Sequence, residues 1–129
     1  MIRVLETSNS RWRLAVVFYM VLLTCTSLQP GDPTAGTAWL SELFHNLAHP
    51  PAYAIFAWLL INAASTITPR VLYGVFAITF LYGALLEVLQ TFVPDRFPSI
   101  GDTLLNALGA GIILWAFKTG RIKHAGSRQ

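Results

Sequence analysis

The chain has 129 residues, of which 54% are hydrophobic and only 12% are charged. This composition is too apolar for a soluble domain of this size and predicts a single membrane domain over residues 1–129. The formal charge of +3 does not indicate a nucleic-acid partner, because the basic residues are divided among short flanks of apolar segments. Cys25 is the only cysteine, which excludes an internal disulfide and a paired-cysteine metal site.

The first apolar segment covers residues 12–28 and follows Arg11 and Arg13. A basic flank before an apolar run is also typical of a signal peptide, but no small-residue cleavage site follows here. The stretch Leu22-Leu23-Thr24-Cys25 is a poor lipoprotein signal, because threonine precedes the cysteine. The segment is therefore expected to remain an uncleaved, unlipidated transmembrane helix.

The next connection opens with the turn-forming residues 29–33. Beyond it, apolar residues recur at helical spacing, which predicts a short interfacial helix over residues 37–48 with Trp39 among the lipid head groups. Pro50 and Pro51 are expected to end this helix. A second transmembrane helix is predicted over residues 51–67.

The third and fourth transmembrane helices are predicted over residues 71–93 and 103–118. Spanning about 30 Å of hydrocarbon takes roughly 17–25 helical residues, so the third segment is long enough and the fourth lies at the short end of this range. Asp102 follows Gly101 and precedes an apolar run, which is the pattern of a helix N-cap. The predicted fold is thus an all-α bundle of four transmembrane helices, with the interfacial helix in its first outer loop.

The positive charges orient this bundle. Eight of the nine basic residues flank one set of helix ends: Arg3, Arg11, Arg13, Arg70, Lys118, Arg121, Lys123 and Arg128. The positive-inside rule places those ends, and both termini, in the cytoplasm. The ninth, Arg96, falls on the opposite side, together with Asp32, Glu42, Asp95, Asp102, His45 and His49. Any chemistry is therefore expected on the outer side.

Glu87 lies within the predicted third helix, roughly 10 Å below its outer end. An acidic side chain at the centre of the membrane costs about 2.5–3.5 kcal/mol, so it is expected to face the bundle. Gln90 shares its helix face. Asn106, on the fourth helix, is expected to find its partner in Glu87 or Gln90, and Ala107 and Gly111 have the small-residue spacing of a close helix contact. The structural alternative is that these polar groups only lock helix packing.

Arg96 lies in the tight turn formed by residues 94–98. Its guanidinium is expected to fold over the mouth of a pocket, where it could pair with Glu87 or bind an anionic head group bidentately. An exposed salt bridge to Asp95 is the alternative, and it would contribute little. Tyr53, one turn after His49, is placed in the same pocket or in the interfacial aromatic belt.

His45 and His49 are four residues apart, which suits two metal ligands on one helix face. With Glu87 or Asp102 they could form a zinc site. The proline pair disturbs this geometry and no known metal-binding motif accompanies it, so no metal and no cofactor is assigned.

Several of these residues occur in an ordered set: His49-x-x-x-Tyr53, Glu87-x-x-Gln90, Arg96, Asp102-x-x-x-Asn106 and Gly109, preceded by Ser27-Leu28-Gln29-Pro30-Gly31. From about residue 14 to residue 117, the chain resembles the VanZ-like family of bacterial membrane proteins. Members commonly carry an Asp-Lys pair where this chain has His45 and Asn46. The resemblance implies a multi-pass protein of the bacterial cytoplasmic membrane and a link to low-level teicoplanin resistance, without a defined reaction.

The leading hypothesis is a protein that binds or processes an amphiphilic envelope molecule, either a membrane lipid or a lipid-linked precursor. Glu87 is the candidate acid or base. The candidate binding residues are His49, Tyr53, Gln90, Arg96, Asp102 and Asn106. Two alternatives remain open, namely a non-catalytic structural or partner protein and a metal-dependent intramembrane hydrolase.

Overall fold

The computed structural model describes residues 2–31, 39–97 and 99–125, and this part of the chain contains four α-helices and no strand. The helices are α1 (Ile2–Ser27), α2 (Trp39–Ala63), α3 (Pro69–Gln90) and α4 (Ile100–Lys118). The predicted all-α class is therefore confirmed. The predicted helix bounds differ most for α1, which begins well before residue 12, and for α2.

The predicted break at Pro50 and Pro51 was wrong, because α2 runs through both prolines as one helix. The interfacial helix predicted for residues 37–48 is its first half, although residues 37 and 38 lie outside the described part of the chain. Proline has a φ that is compatible with a helix. What it removes is the backbone N–H, so the carbonyls of Asn46 and Leu47 lose their usual partners in α2. The helix continues across this gap because its second half is fixed in the core.

That core surrounds α2, which packs against α1 on one side and against α3 and α4 on the other. On the α1 side, Tyr53, Phe56 and Leu59 meet Val16 and Leu23 of α1. On the other side, a second cluster is made by Ala57, Ile61, Val75 and Ala110. Helix α2 is thus the central element, and side chains along it can reach the other three helices.

The fourth helix is capped by Ser99, not by Asp102 as the sequence pattern predicted. Ser99 has extended backbone angles, and its hydroxyl accepts the N–H of Gly101 at 3.0 Å. Asp102 lies inside the first turn of α4, where a carboxylate is favoured by the helix dipole. The consequence is that the side chain of Asp102 is turned into the bundle, where it is 8% exposed.

Helices α2 and α4 cross closely at Gly109. A Cβ at this position would overlap the carbonyl oxygen of Pro50, so only glycine permits the contact. The predicted small-residue contact at Ala107 and Gly111 was misplaced, since a Cβ at Gly111 would meet nothing within 4 Å. The glycine crossing brings the proline segment of α2 directly against the polar face of α4.

The surface of the helix bundle is largely apolar, whereas several polar side chains are buried inside the bundle. Exposed large hydrophobic residues include Phe18 (71%), Tyr73 (78%), Leu81 (64%) and Leu104 (63%). The buried polar residues are Asn62, Thr79, Glu87, Gln90, Asp102 and Asn106. Helices α3 and α4 are long and apolar enough to cross a membrane, and only 28% of the residues in the most apolar stretch of each are buried. A core helix of a soluble protein would be mostly buried, so this inverted polarity indicates a membrane environment.

Candidate functional site

The buried end of α3 places Glu87 against the start of α4. Glu87 is 7% exposed, which confirms that it faces the bundle. Its Oε2 accepts the backbone N–H of Ser99 at 3.1 Å. Because α3 ends at Gln90, Glu87 lies only about 5 Å along the helix axis from that end, which is shallower than the sequence predicted. The carboxylate is therefore close to the connection between α3 and α4.

Asn106 and His49 form a polar contact between α4 and α2. His49 Nδ1 lies 2.8 Å from Asn106 Oδ1. Asn106 is fully buried, and its Nδ2 has no hydrogen-bond partner in the described part of the chain. The predicted partner of Asn106, Glu87 or Gln90 on α3, was thus incorrect. The proline segment of α2 presents His49 to this asparagine instead.

Three helices contribute to one compact cluster of ligand-type atoms. One ring nitrogen of His49, one carboxylate oxygen of Glu87 and one of Asp102 all lie within 4.8 Å of one another. The two carboxylates are buried and His49 is half-buried. The second histidine of the sequence hypothesis, His45, has a side chain outside the described residues, as does Glu42, and the whole of Asp32 lies outside them.

A cavity of about 180 Å³ lies beside this cluster, between the end of α1, the middle of α2 and the end of α3. It is lined by Leu23, Thr26, Ser27, Ala48, His49, Ala52, Tyr53, Gln90 and Arg96. Four predicted binding residues, namely His49, Tyr53, Gln90 and Arg96, therefore share one cavity. His49 belongs both to the cavity wall and to the carboxylate cluster, so it connects the two parts of the site.

Two of the lining residues also hold the connections in place. Arg96 donates its Nε–H to the carbonyl of Gln29 at 2.9 Å. Gln90 donates Nε2–H to the carbonyl of Ser27 at 3.0 Å. Next to them, the N–H of Gly31 donates to the carbonyl of Pro94 at 3.1 Å. The chain after α1 and the chain after α3 are thus joined at the rim of the cavity.

The sequence-based predictions did not include Ser99 and Gly83, which position the predicted site residues. Ser99 supplies the donor to Glu87, and Gly83 leaves room for the Asn106 amide, since a Cβ there would lie 2.9 Å from Asn106 Nδ2 and 3.0 Å from Tyr53 Cε1. For Ser99 the sequence does contain a signal, because Ser99-x-x-Asp102 has the spacing of a capping box and marks Ser99 as a helix cap. Nothing in the sequence alone indicates which glycine faces Asn106.

The fold and the site together define a class: a helical membrane protein with an apolar exterior and a polar centre near one end. The sequence model of the VanZ/LLP1 family matches residues 4–122, so the chain belongs to this family. This confirms the resemblance seen in the residue pattern. Comparison with curated proteins gives no match, and comparison with solved structures gives none.

Proposed function

We propose that this chain is a multi-pass protein of the bacterial cytoplasmic membrane whose outward-facing cavity binds the anionic head group of an amphiphilic envelope molecule. All four helices would cross the membrane, with both termini in the cytoplasm. Besides α3 and α4, the exposed apolar residues of α1 support this arrangement, with Phe18 and Val17 as examples. Arg11 lies in the N-terminal half of α1 and Lys118 is the last residue of α4, and this topology places both on the cytoplasmic side.

The observation that carries the proposal is the composition of the cavity wall. The wall contains the apolar residues Leu23, Ala48 and Ala52 as well as the polar residues His49, Gln90 and Arg96. A molecule with an acyl or prenyl chain and a polar head matches this mixed composition. Only one of the five N–H donors of Arg96 is used by Gln29, so the guanidinium retains donors for a phosphate or carboxylate.

The cavity volume limits the bound part to a head group. Whole drug-sized ligands occupy pockets of about 300–1,000 Å³, and this cavity is smaller, at about 180 Å³. The chain of an amphiphile would therefore lie along the apolar exterior while its phosphate enters the cavity. If the bound molecule is also processed, Glu87 is the candidate acid or base, since it lies in the cluster reached through His49.

Ligand-dependent thermal stabilisation tests this proposal. The protein in a neutral detergent is titrated with short-chain phosphatidic acid, with a polyprenyl phosphate and with short-chain phosphatidylcholine. We expect the first two to raise the Tm in a saturable way and the third to have no effect, because binding to the native state stabilises it. Arg96→Gln should weaken the response at least about tenfold, the loss of one charge-assisted contact.

Arg70→Gln is the matched control, because Arg70 is an exposed cation at the start of α3, at the opposite end of that helix from the cavity. Equal responses of both variants, or equal responses to all three lipids, would contradict the proposal. In the VanZ/LLP1 context, the same variants would be compared for teicoplanin resistance, which the family resemblance links to this fold.

A structural role is the second candidate, and one observation favours it. Gln90 and Arg96 each bond to a backbone carbonyl after or at the end of α1. On this hypothesis the polar residues only lock the bundle, so Arg96→Gln would lower the Tm without any lipid present. The lipid titration distinguishes the two, because a purely structural residue changes the starting Tm but not the ligand-induced increase.

A further inference from the structure

The most concentrated chemistry in the described chain is the cluster of His49, Glu87 and Asp102. Its three ligand-type atoms come from α2, α3 and α4 and lie within 4.8 Å of one another. Helices do not bring a histidine and two carboxylates together in an apolar bundle through the hydrophobic effect, because each buried charge opposes folding unless it is compensated.

We infer that His49, Glu87 and Asp102 form a binding site for one divalent first-row metal ion, with zinc the best match to their donor set. One imidazole nitrogen and two carboxylate oxygens are common zinc ligands, at about 2.0–2.2 Å from the ion. Ligand atoms around a tetrahedral ion are then about 3.4 Å apart. Separations of up to 4.8 Å would therefore shorten by at most about 1.4 Å around a bound ion.

The contact of His49 with Asn106 is the arrangement that a metal-bound histidine requires. Such histidines hydrogen-bond through the ring nitrogen that does not hold the metal, and this bond fixes the ring. Here Nδ1 lies 2.8 Å from the amide oxygen of Asn106, so Nε2 is the ring nitrogen that would coordinate a bound ion. Asn106 is fully buried, and its amide nitrogen has no partner among the described residues. Retaining such an amide is costly, which indicates that positioning His49 is its role.

The charges of the cluster also favour a bound metal ion. Glu87 is 7% exposed and Asp102 is 8% exposed, and their carboxylates are close together. Two buried like charges at this separation repel each other strongly, and a dication removes the repulsion. A metal ion held by the three ligands would add two positive charges directly beside both carboxylates.

The cap of α4 explains how Asp102 reaches the cluster. In a capping box, the acidic residue at the third helical position accepts the N–H of the capping residue. Here that N–H, from Ser99, is accepted by Oε2 of Glu87. A carboxylate oxygen of Asp102 lies within 4.8 Å of a ring nitrogen of His49. Glu87 still has its second oxygen for the ion.

Three protein ligands leave one coordination position of a tetrahedral ion unfilled. Because His49 lines the cavity, this position can face the cavity. That position would take water or an oxygen of a bound phosphate. The inference goes beyond the proposed function, since head-group binding through Arg96 needs no metal. The metal site could therefore be refuted while head-group binding is confirmed, and the reverse outcome is also possible.

Metal analysis of the purified protein provides the test. The chain is produced without a polyhistidine tag, stripped with a chelator, and titrated in detergent with Zn²⁺ and with Co²⁺, whose visible absorption reports its coordination. We expect about one ion per chain, a raised Tm, and at least tenfold weaker binding for His49→Gln, Glu87→Gln and Asp102→Asn. Asn106→Leu should weaken binding by about 10–100-fold while keeping the ligands.

Two matched variants serve as controls. Asp95→Asn removes an exposed carboxylate at a left-handed position (φ 56°) that asparagine tolerates. His124→Gln changes a histidine beside Ala125, whose N–H bonds to Asn62, about 20 Å along α2 from His49. Both should bind metal as the wild type does.

Absence of stoichiometric Zn²⁺ or Co²⁺ binding at millimolar concentration would overturn the inference. Binding that persists in all three ligand variants would overturn it equally, since the ion would then be elsewhere. If Glu87→Gln does not fold, His49→Gln and Asp102→Asn still decide the question, with circular dichroism and gel filtration verifying each fold.

Discussion

Oε2 of Glu87 accepts the backbone N–H of Ser99 at 3.1 Å, which ties the last turn of α3 to the residue that caps α4. One carboxylate therefore closes the hairpin between two helices that are long and apolar enough to cross a membrane. The same residue also belongs to the polar cluster with His49 and Asp102. Glu87 thus both joins two helices and belongs to a cluster of ligand-type atoms. Substitutions that keep or remove its bond to Ser99 isolate the first of these roles.

Glu87→Gln should leave the fold nearly as stable as the wild type, whereas Glu87→Ala should not. Glutamine keeps an oxygen that can accept from Ser99, so we expect a change in the free energy of unfolding of less than about 1 kcal/mol. Alanine leaves that N–H without its partner and opens a cavity, which should cost about 2–4 kcal/mol. Thermal unfolding in detergent measures both. Equal destabilisation by the two substitutions would mean that the bond to Ser99 is unimportant.

Gly109→Ala should destabilise the protein, and Gly111→Ala should not. The added methyl group at position 109 overlaps the carbonyl of Pro50, so α2 and α4 must separate, at a cost of about 1–3 kcal/mol. The control at position 111 has open space around it and should gain up to about 1 kcal/mol from helix propensity. A chemical or thermal unfolding comparison in one detergent would show the contrast, and similar values for both would refute the close crossing.

The polar face of α3 could be predicted because burial follows simple periodicity. Glu87 and Gln90 lie three residues apart, and both are buried as expected. The partners could not be predicted in the same way. Asn106 meets His49 on α2 because Pro50 and Pro51 do not end that helix, and local rules for proline say nothing about the packing that holds it together. Tertiary contacts of Phe56 and Ile61, both fully buried, outweigh the missing backbone bonds.

The cap of α4 shows a second limit of sequence reasoning. Asp102 and Ser99 both fit the preferences for an N-cap, and Ser99 is the residue that caps the helix. Glu87, twelve positions earlier in the chain and on another helix, accepts the Ser99 N–H that a capping box would have satisfied locally. Local preferences do not indicate such a long-range bond.

The proposed topology predicts that the C-terminus is cytoplasmic. Lys118 ends α4, Arg121 and Lys123 follow it, and all three would be retained on the inner side by the positive-inside rule. A C-terminal fluorescent protein fusion should be bright and a C-terminal alkaline phosphatase fusion inactive. Truncation in the connection after α3, near Asp95, should give the opposite pattern. An active C-terminal phosphatase fusion would place the cavity on the cytoplasmic side and contradict the envelope ligand.

Activity in cells is expected to depend on Glu87 and Arg96. Because Glu87→Gln keeps the bond to Ser99 but removes the negative charge, we expect normal expression with loss of the teicoplanin resistance that we propose for the wild type. Arg96→Lys should give a milder loss, since lysine keeps the charge but replaces the planar fork that binds phosphate bidentately. Arg70→Lys, far from the cavity, should be indistinguishable from the wild type. Full resistance in the Glu87→Gln strain, at equal protein levels, would show that this carboxylate serves only to hold α3 against α4.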